Sequence, residues 1–309
     1  MKRFTSIAAL TAFLLTAAAC GDDSTESSET DAPADTPAPD TTPAPDTTPA
    51  DDVPQSIISL SPTATEMLFA IGAGDQVIAV DDFSDYPAEA LDKPHELSGY
   101  EPNVEAIAAL EPDLVIMQNS TVQEQLEALG IEVWVGLAAT TFDDVYTQIE
   151  QLGAITGHVG EAAELVSQMQ TDIQAAVDAA TMPAEGLSYY HELDPTFYSV
   201  TGNTFVGEVY ELFGMTNIAD EAEPGNDYPQ LNAEFIVGAA PDLIFLADGT
   251  CCGETPETVA ARPGWDAIPA VQNGAVVVID DSVASRWGPR IVEFITAVSD
   301  AVIAVSADA

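Results

Sequence analysis

Two stretches of this chain, 129 residues apart, read almost alike, and that internal repeat limits the possible folds more than any other feature. Residues 104–117 run Val-Glu-Ala-Ile-Ala-Ala-Leu-Glu-Pro-Asp-Leu-Val-Ile-Met. Residues 233–246 run Ala-Glu-Phe-Ile-Val-Gly-Ala-Ala-Pro-Asp-Leu-Ile-Phe-Leu. Glu105 and Glu234, Ile107 and Ile236, Pro112 and Pro241, Asp113 and Asp242, and Leu114 and Leu243 fall at equal offsets. A proline disfavours helix at the residue before it. Each copy therefore reads as a short helix stopped before proline and feeding an apolar strand.

The flanking segments correspond as well. Each copy is followed by a helix–glycine–strand unit, over 123–135 with Gly130 as the break and over 265–279 with Gly274. The first half opens with a strand over 56–60 and a helix capped by Ser61 or Thr63 that stops at Gly72. A second strand follows over 76–80. The second half opens with a strand over 187–193 and a helix over 205–213 that stops at Gly214. Strands alternating with helices specify parallel sheets, so the chain is an α/β protein of two related lobes, 55–156 and 182–309. Between them, over 157–181, Val159, Ala162, Ala163, Val166, Met169, Ile173 and Val177 recur at helical spacing, with no proline or glycine after position 160. One helix of about 25 residues, about 37 Å long, is expected there. It serves either as the sole bridge between lobes or as an ordinary surface helix.

The N-terminus carries export signals. Lys2 and Arg3 precede an apolar run over 7–19, too short to span a bilayer and suited to a signal peptide over 1–19. Small residues then lead to Cys20, as in a bacterial lipobox, where the cysteine is lipidated and anchors the protein to the extracytoplasmic face of the cell membrane. Cleavage after Ala-Ala-Ala and release of a free protein is the other reading. Residues 20–54 are rich in Pro, Thr, Asp, Ala and Ser and hold no aromatic residue, which makes them a disordered, extended tether.

Fifty-two acids stand against six bases, a formal charge of −46. Such a surface repels nucleic acid and anionic lipid. Adaptation to salt or solubility explains it more simply than a cationic partner does. Each base in the body, Lys93, Arg262, Arg286 and Arg290, is informative for the same reason.

Ligands of open α/β sheets bind outside the carboxyl ends of the strands. The loops to inspect are those around Phe83, Tyr100, Gln118, Phe197, Tyr228 and Arg286. Aromatics in Gly/Pro/Asp-rich loops suit a flat or macrocyclic ligand. Arg286 and Arg290 suit either an anionic ligand group or a neighbouring carboxylate. No Gly-x-Ser-x-Gly elbow, phosphate loop or metal-ligand spacing occurs, so neither a catalytic set nor a metal site nor a cofactor is expected. His158 opens a helix and reads as structural, and His95 and His191 could reach a cleft, although a lone histidine is more often not a ligand. Cys251 and Cys252 are either two thiols or, the favoured form, a strained vicinal disulfide stiffening a cleft loop.

The motifs together resemble a family. Residues 57–66, Ile-Ile-Ser-Leu-Ser-Pro-Thr-Ala-Thr-Glu, with Asn103-Val104-Glu105-Ala106-Ile107, Pro112-Asp113-Leu114-Val115 and Arg262-Pro263-Gly264-Trp265, resemble the ABC-importer substrate-binding proteins for cobalamin, haem and ferric siderophores. The resemblance covers nearly all of 55–309. It implies two Rossmann-like lobes joined by one long helix, the class III periplasmic-binding-protein fold. It also implies that Glu105 and Glu234 dock onto arginines of the membrane permease, which works with ATPase subunits. Phe83 with Ser84-Asp85-Tyr86-Pro87, Tyr100, Phe197, Tyr228 and Arg286 look most like the cleft of the cobalamin binders, with Gln118 where an aromatic is usual. A monomeric, lipid-anchored binding protein delivering a corrinoid is the function so implied. Haem or a ferric siderophore is the nearest alternative ligand, and a metal-binding enzyme or a sensor on the same scaffold is the alternative of another class.

Overall fold

The computed structural model describes residues 53–183 and 186–307. The signal peptide, Cys20 and nearly all of the tether lie outside the described residues.

The first lobe contains β1 (Ile57–Leu60), α1 (Pro62–Ala70), β2 (Val77–Val80), α2 (Val104–Ala108), β3 (Leu114–Met117), α3 (Gln123–Ala128) and β4 (Glu132–Val135). Next come α4 (Phe142–Thr156) and α5 (Val159–Ala179). The second lobe begins with β5 (Ser188–Glu192), α6 (Phe205–Glu211), β6 (Thr216–Asn217), α7 (Ala233–Ala239) and β7 (Leu243–Leu246). It ends with α8 (Gly249–Cys252), α9 (Pro256–Ala260), α10 (Pro269–Gln272), β8 (Val276–Val278), α11 (Asp281–Ser285) and α12 (Ile291–Ala307).

Both sheets are parallel and four-stranded, in the orders β2-β1-β3-β4 and β6-β5-β7-β8. The repeat in sequence is thus a repeat in topology. Its shared aspartate has one job in both halves. Asp113 Oδ2 accepts the backbone N–H groups of Gln55 and Ser56 at 2.8 and 2.9 Å, and Asp242 Oδ2 accepts the N–H and hydroxyl of Ser188 at 2.8 and 2.7 Å. Each aspartate ties the start of a central strand to its neighbour. The Gln55 N–H, followed by the Ser56 hydroxyl, holds the Asp113 carboxyl below the usual carboxylate range.

The central strands β1, β3 and β7 are buried along their whole length, and β5 at every residue but Ser188, as expected for parallel strands covered on both faces. Alternation still sorts their side chains. Ile57, Leu114 and Ile116 belong to the larger core with α1 and α4, whereas Ile58, Val115 and Met117 form a smaller core with Ile107 of α2 and Leu126 of α3. The larger core continues through α5 into the second lobe.

The long helix falls within 157–181, and a helix not expected from the sequence, α4, precedes it. The long helix has 21 residues, about 31 Å, and begins after Gly157, which closes α4 in the left-handed region at φ +79°. The linker is therefore a helical pair. At Gly153 an added Cβ would lie 2.4 Å from the Cβ of Ala162, so glycine there lets α4 and α5 cross closely. The C-terminal helix α12 packs on the other side of α5, where Ser299 donates to the Ala176 carbonyl at 2.6 Å.

A second, noncovalent link joins the lobes. Glu66 of α1 is buried, its side chain 1% exposed. Its Oε1 accepts from Arg286 at 2.9 Å and from Arg290 at 2.7 Å, and its Oε2 accepts from Arg290 Nε at 3.1 Å. Arg286 also donates to Asp85 Oδ1 at 2.8 Å and to the Phe83 carbonyl at 3.0 Å, and the Arg290 guanidinium lies 4.2 Å from the Tyr86 ring centroid. The final segment of the chain thereby clamps the first lobe. Breaking a buried ion pair from one side leaves uncompensated charge and costs about 3–5 kcal/mol. Glu66→Gln is accordingly expected to lower the urea-unfolding stability by an amount on that order, while Asp85→Asn, at the exposed edge, costs about 1 kcal/mol or less. Equal effects of the two substitutions would show that Glu66 is not the keystone.

Candidate functional site

The carboxyl ends of the first sheet open into a cavity of about 490 Å³. Leu60, Pro62 and Thr63 line it at the end of β1, Asp81 and Phe83 after β2, Gly99 and Tyr100 before α2, and Gln118 and Asn119 after β3. Ser285, Arg286 and Trp287 from the second lobe form the facing wall. A larger groove of about 840 Å³ runs between α1, α5 and the start of α12. Its walls come mainly from helix flanks, so the smaller cavity is the one at the ligand-binding end of the sheet.

Four of the six residues singled out from the sequence meet here: Phe83, Tyr100, Gln118 and Arg286. The Phe83 and Tyr100 rings stand edge-to-face with centroids 6.2 Å apart. They are 54% and 83% exposed, so both rings present apolar surface to the cavity mouth. Arg286 is not a free cation awaiting an anion, because Glu66, Asp85 and the Phe83 carbonyl already engage its guanidinium. Its hydrogen bond to Phe83 fixes the loop that carries the ring.

The other two lie outside the cavity. Phe197 turns into the second lobe, at φ +71°, where it stacks on the buried Trp265 with centroids 5.8 Å apart. The Arg262 guanidinium sits 4.6 Å from the Trp265 centroid and 5.4 Å from that of Phe197. This cation–π packing explains why a loop aromatic is pulled inward. Tyr228 is 57% exposed on the adjoining loop, which is tied to the first by Ser199 N–H donating to Pro229 and Leu231 N–H donating to Phe197.

Asp81 was not singled out from the sequence, although its place directly after β2 was a signal. It is 2% exposed yet lines the cavity. Burial raises its carboxyl to about 6, against the opposing effect of the hydroxyl donated by Ser84. Thr65 continues the network to Ser84 and Ser59 at 2.8 Å each.

Cys251 and Cys252 are free, exposed thiols on the single turn α8, so the favoured vicinal disulfide is not formed. Consecutive Cα atoms lie closer than ordinary disulfide geometry wants. A hydrogen bond with Cys252, with burial second, pushes the Cys251 thiol up to about 12. His191 lies in the core on β5 rather than at a cleft. Its Nδ1 is 2.8 Å from the Tyr210 hydroxyl, and burial pushes its pKa down to about 3. His95 is exposed beside the Lys93 carbonyl, and His158 stands at the start of α5 with its Nδ1 2.9 Å from the Thr156 carbonyl rather than capping the helix.

Glu105 and Glu234 occupy equivalent places, each exposed at the second residue of a short helix. Asn103 caps the first helix by accepting from Glu105 and Ala106 N–H, and Asn232 caps the second by accepting from Phe235 N–H. Among the described residues no helix is long and apolar enough to cross a membrane, and no group of three or more His, Cys, Asp and Glu side chains is placed to hold a metal ion.

The profile of the family described as "Periplasmic binding protein" matches residues 57–283. YvrC of Bacillus subtilis, named as an uncharacterized ABC transporter substrate-binding lipoprotein, is 30% identical over 81% of this chain and 80% of its own length. A cobalamin-binding protein of Halobacterium salinarum is 32% identical over 78% of this chain and 67% of its own. Among solved structures, the periplasmic haem-binding protein HutB of Vibrio cholerae superposes with a TM-score of 0.70, at 25% identity, over 80% of this chain and 98% of that one.

One buried feature sets the second lobe apart from the first. Glu192, at the end of β5, receives both terminal nitrogens of Arg262 at 2.6 Å, and Glu254 receives one at 2.8 Å. Asp248, fully buried after β7, takes no hydrogen bond on either oxygen. Burial, then the charge of Glu192, raises its carboxyl to about 7. The folded protein thus keeps a proton that the unfolded chain releases near 4, so this group's contribution is fully present below about pH 4 and is lost as pH rises through about 7. Asp248→Asn should remove that loss. Its melting temperature relative to the unaltered protein is expected to climb between pH 4 and pH 8, and a flat difference across that range would mean that Asp248 is ionised throughout.

Proposed function

Because the chain belongs to the periplasmic binding protein family, we propose that it is the extracytoplasmic substrate-binding component of an ABC importer, capturing a corrinoid in the cleft between its lobes. The observation that carries this reading is the cavity at the carboxyl ends of the first sheet, walled by Phe83 and Tyr100 and closed by Arg286 and Trp287 from the other lobe. Exposed rings offer a flat surface to a macrocycle, and Gln118 beside them offers hydrogen bonds. The cobalamin-binding relative supports the ligand class. Tyr228 is read as the aromatic that the second lobe brings to the ligand, Phe197 as packing beneath Arg262. The role is capture, not catalysis.

Cys20 is read as the lipid anchor, with residues 20–54 as the tether, and the YvrC relative, named as a lipoprotein, supports this. Glu105 and Glu234 are read as the paired docking acids for the permease. Their similar caps and their exposure on both lobes support that role, since two like charges at fixed separation make a geometric key for two cationic partners.

Two measurements test the proposal. Titration of residues 53–309 with cyanocobalamin is expected to give a dissociation constant tighter than about 100 µM, roughly −5.5 kcal/mol. Binding of haemin or a ferric siderophore alone would reassign the ligand, and binding of none would end the transport reading. Reversing both docking acids, Glu105→Lys with Glu234→Lys, should leave that affinity within about twofold while abolishing uptake through the cognate permease, because docking surface and cleft share no side chain. Unimpaired uptake would remove the docking role.

A further inference from the structure

Of the residues lining the cavity, Asp81 and Arg286 are the two that carry charge. Their situations are opposite. Arg286 together with Arg290 faces Glu66 and Asp85, two cations against two carboxylates, so the clamp is electrically balanced within itself. Asp81 has no such contact: the Arg286 charge reaches it and opposes the rise in its pKa, but no guanidinium pairs with it directly. Its Oδ1 accepts the Ser84 hydroxyl, a neutral donor. Its Oδ2 lies against Gly99, where an added Cβ would come within 2.6 Å of it and within 2.9 Å of the Leu60 carbonyl. Glycine at 99 is thus what leaves room for the carboxylate at the cavity wall.

A nearly buried carboxylate with no cationic partner favours one kind of ligand. It accepts hydrogen bonds from N–H groups strongly, because charge-assisted bonds exceed neutral ones. It also repels a ligand carboxylate brought beside it out of water, and Arg286, engaged by Glu66, Asp85 and the Phe83 carbonyl, offsets that only in part. Gln118 and Asn119, on the same wall, can donate or accept and so add no preference against amides.

We infer that Asp81 is a specificity-determining residue that makes the cleft select macrocycles whose rim substituents end in amides over those whose substituents end in carboxylates. This rests on the corrinoid reading above and narrows it, since amidated corrinoids carry such N–H groups whereas free-acid corrinoids, and haem with its propionates, carry carboxylates.

The test uses two corrinoids that share one ring: cobyrinic acid, with free carboxylates, and its fully amidated counterpart. Calorimetric titration of the intact protein at pH 8 is expected to show the amide form bound at least about tenfold more tightly, the scale of one hydrogen bond to a charged group. Asp81→Asn keeps the acceptor for Ser84 and removes the charge, and should bring the two affinities within about threefold. Asp81→Ser, smaller and also neutral, should do the same, and Gly99→Ala should follow by displacing the carboxylate. A purely structural role for Asp81 would lower thermal stability and weaken both ligands alike, leaving their ratio untouched. Equal affinities in the unaltered protein, or a preference that survives both Asp81 substitutions, would overturn the assignment. Failure of both corrinoids to bind the unaltered protein would instead overturn the corrinoid reading, and the role of Asp81 with it.

Discussion

One buried carboxylate, that of Glu66, fixes how the two halves of this protein meet. It sits on α1, the first helix among the described residues, and is held by two arginines from the segment entering α12. Such an arrangement is seldom a large net source of stability, since three charged groups must leave water to form it. What it supplies is uniqueness. Each lobe has a complete sheet, and α4 with α5 is the covalent path between them. A hinge of that kind leaves the approach of the lobes free. The Glu66 clamp removes that freedom, and through Arg286 and the Phe83 carbonyl it also sets the position of a cleft ring.

Scarcity of positive charge makes the clamp legible. Against fifty-two acids the folded body has Lys93 and three arginines. All three arginines are held in ion pairs with buried or half-buried carboxylates, and two of them also face aromatic rings. Arginine suits these places because its planar fork binds a carboxylate through two nitrogens while its face stacks on a ring. The remaining surface is left strongly acidic, which keeps the protein dispersed and repels anionic surfaces. Two glutamates can stand out on such a surface only by geometry, and the matched caps at Asn103 and Asn232 provide it.

The repeat carried most of the fold. Pro112 with Asp113 and Pro241 with Asp242 marked the entry to both central strands, and the two sheets have one order. Helix α4 was missed, although Thr141 and Asp144 form a capping box and Val145, Ile149 and Leu152 share a buried face. Gly153 interrupts its pattern, and only the tertiary crossing with Ala162 shows why a glycine belongs in that helix. The cleft was half legible for a similar reason. Phe83, Tyr100 and Gln118 follow strands and face the cavity as position alone suggests. Phe197 also follows a strand, but its direction is set by Arg262 and Trp265, residues more than sixty positions away. Asp81 was passed over because in so acidic a chain no carboxylate is distinctive until its burial is known.

Where the halves agree and where they part divides the labour of the molecule. Agreement falls on the residues that build the sheets and on Glu105 and Glu234. Divergence falls on the segments after the strands. The first lobe uses them to expose Phe83 and Tyr100. The second places an ion pair there, Glu192 at the end of β5 with Arg262, and leaves Asp248 after β7 buried without a hydrogen-bond partner. The same connection that presents Tyr100 runs on, five residues later, into Glu105, and the one that presents Tyr228 reaches Glu234 six residues on. In the transport reading, ligand contact and permease contact are thus neighbours along the chain in both lobes. In that reading, a displacement of either connection by the ligand reaches the glutamate carried on the same connection.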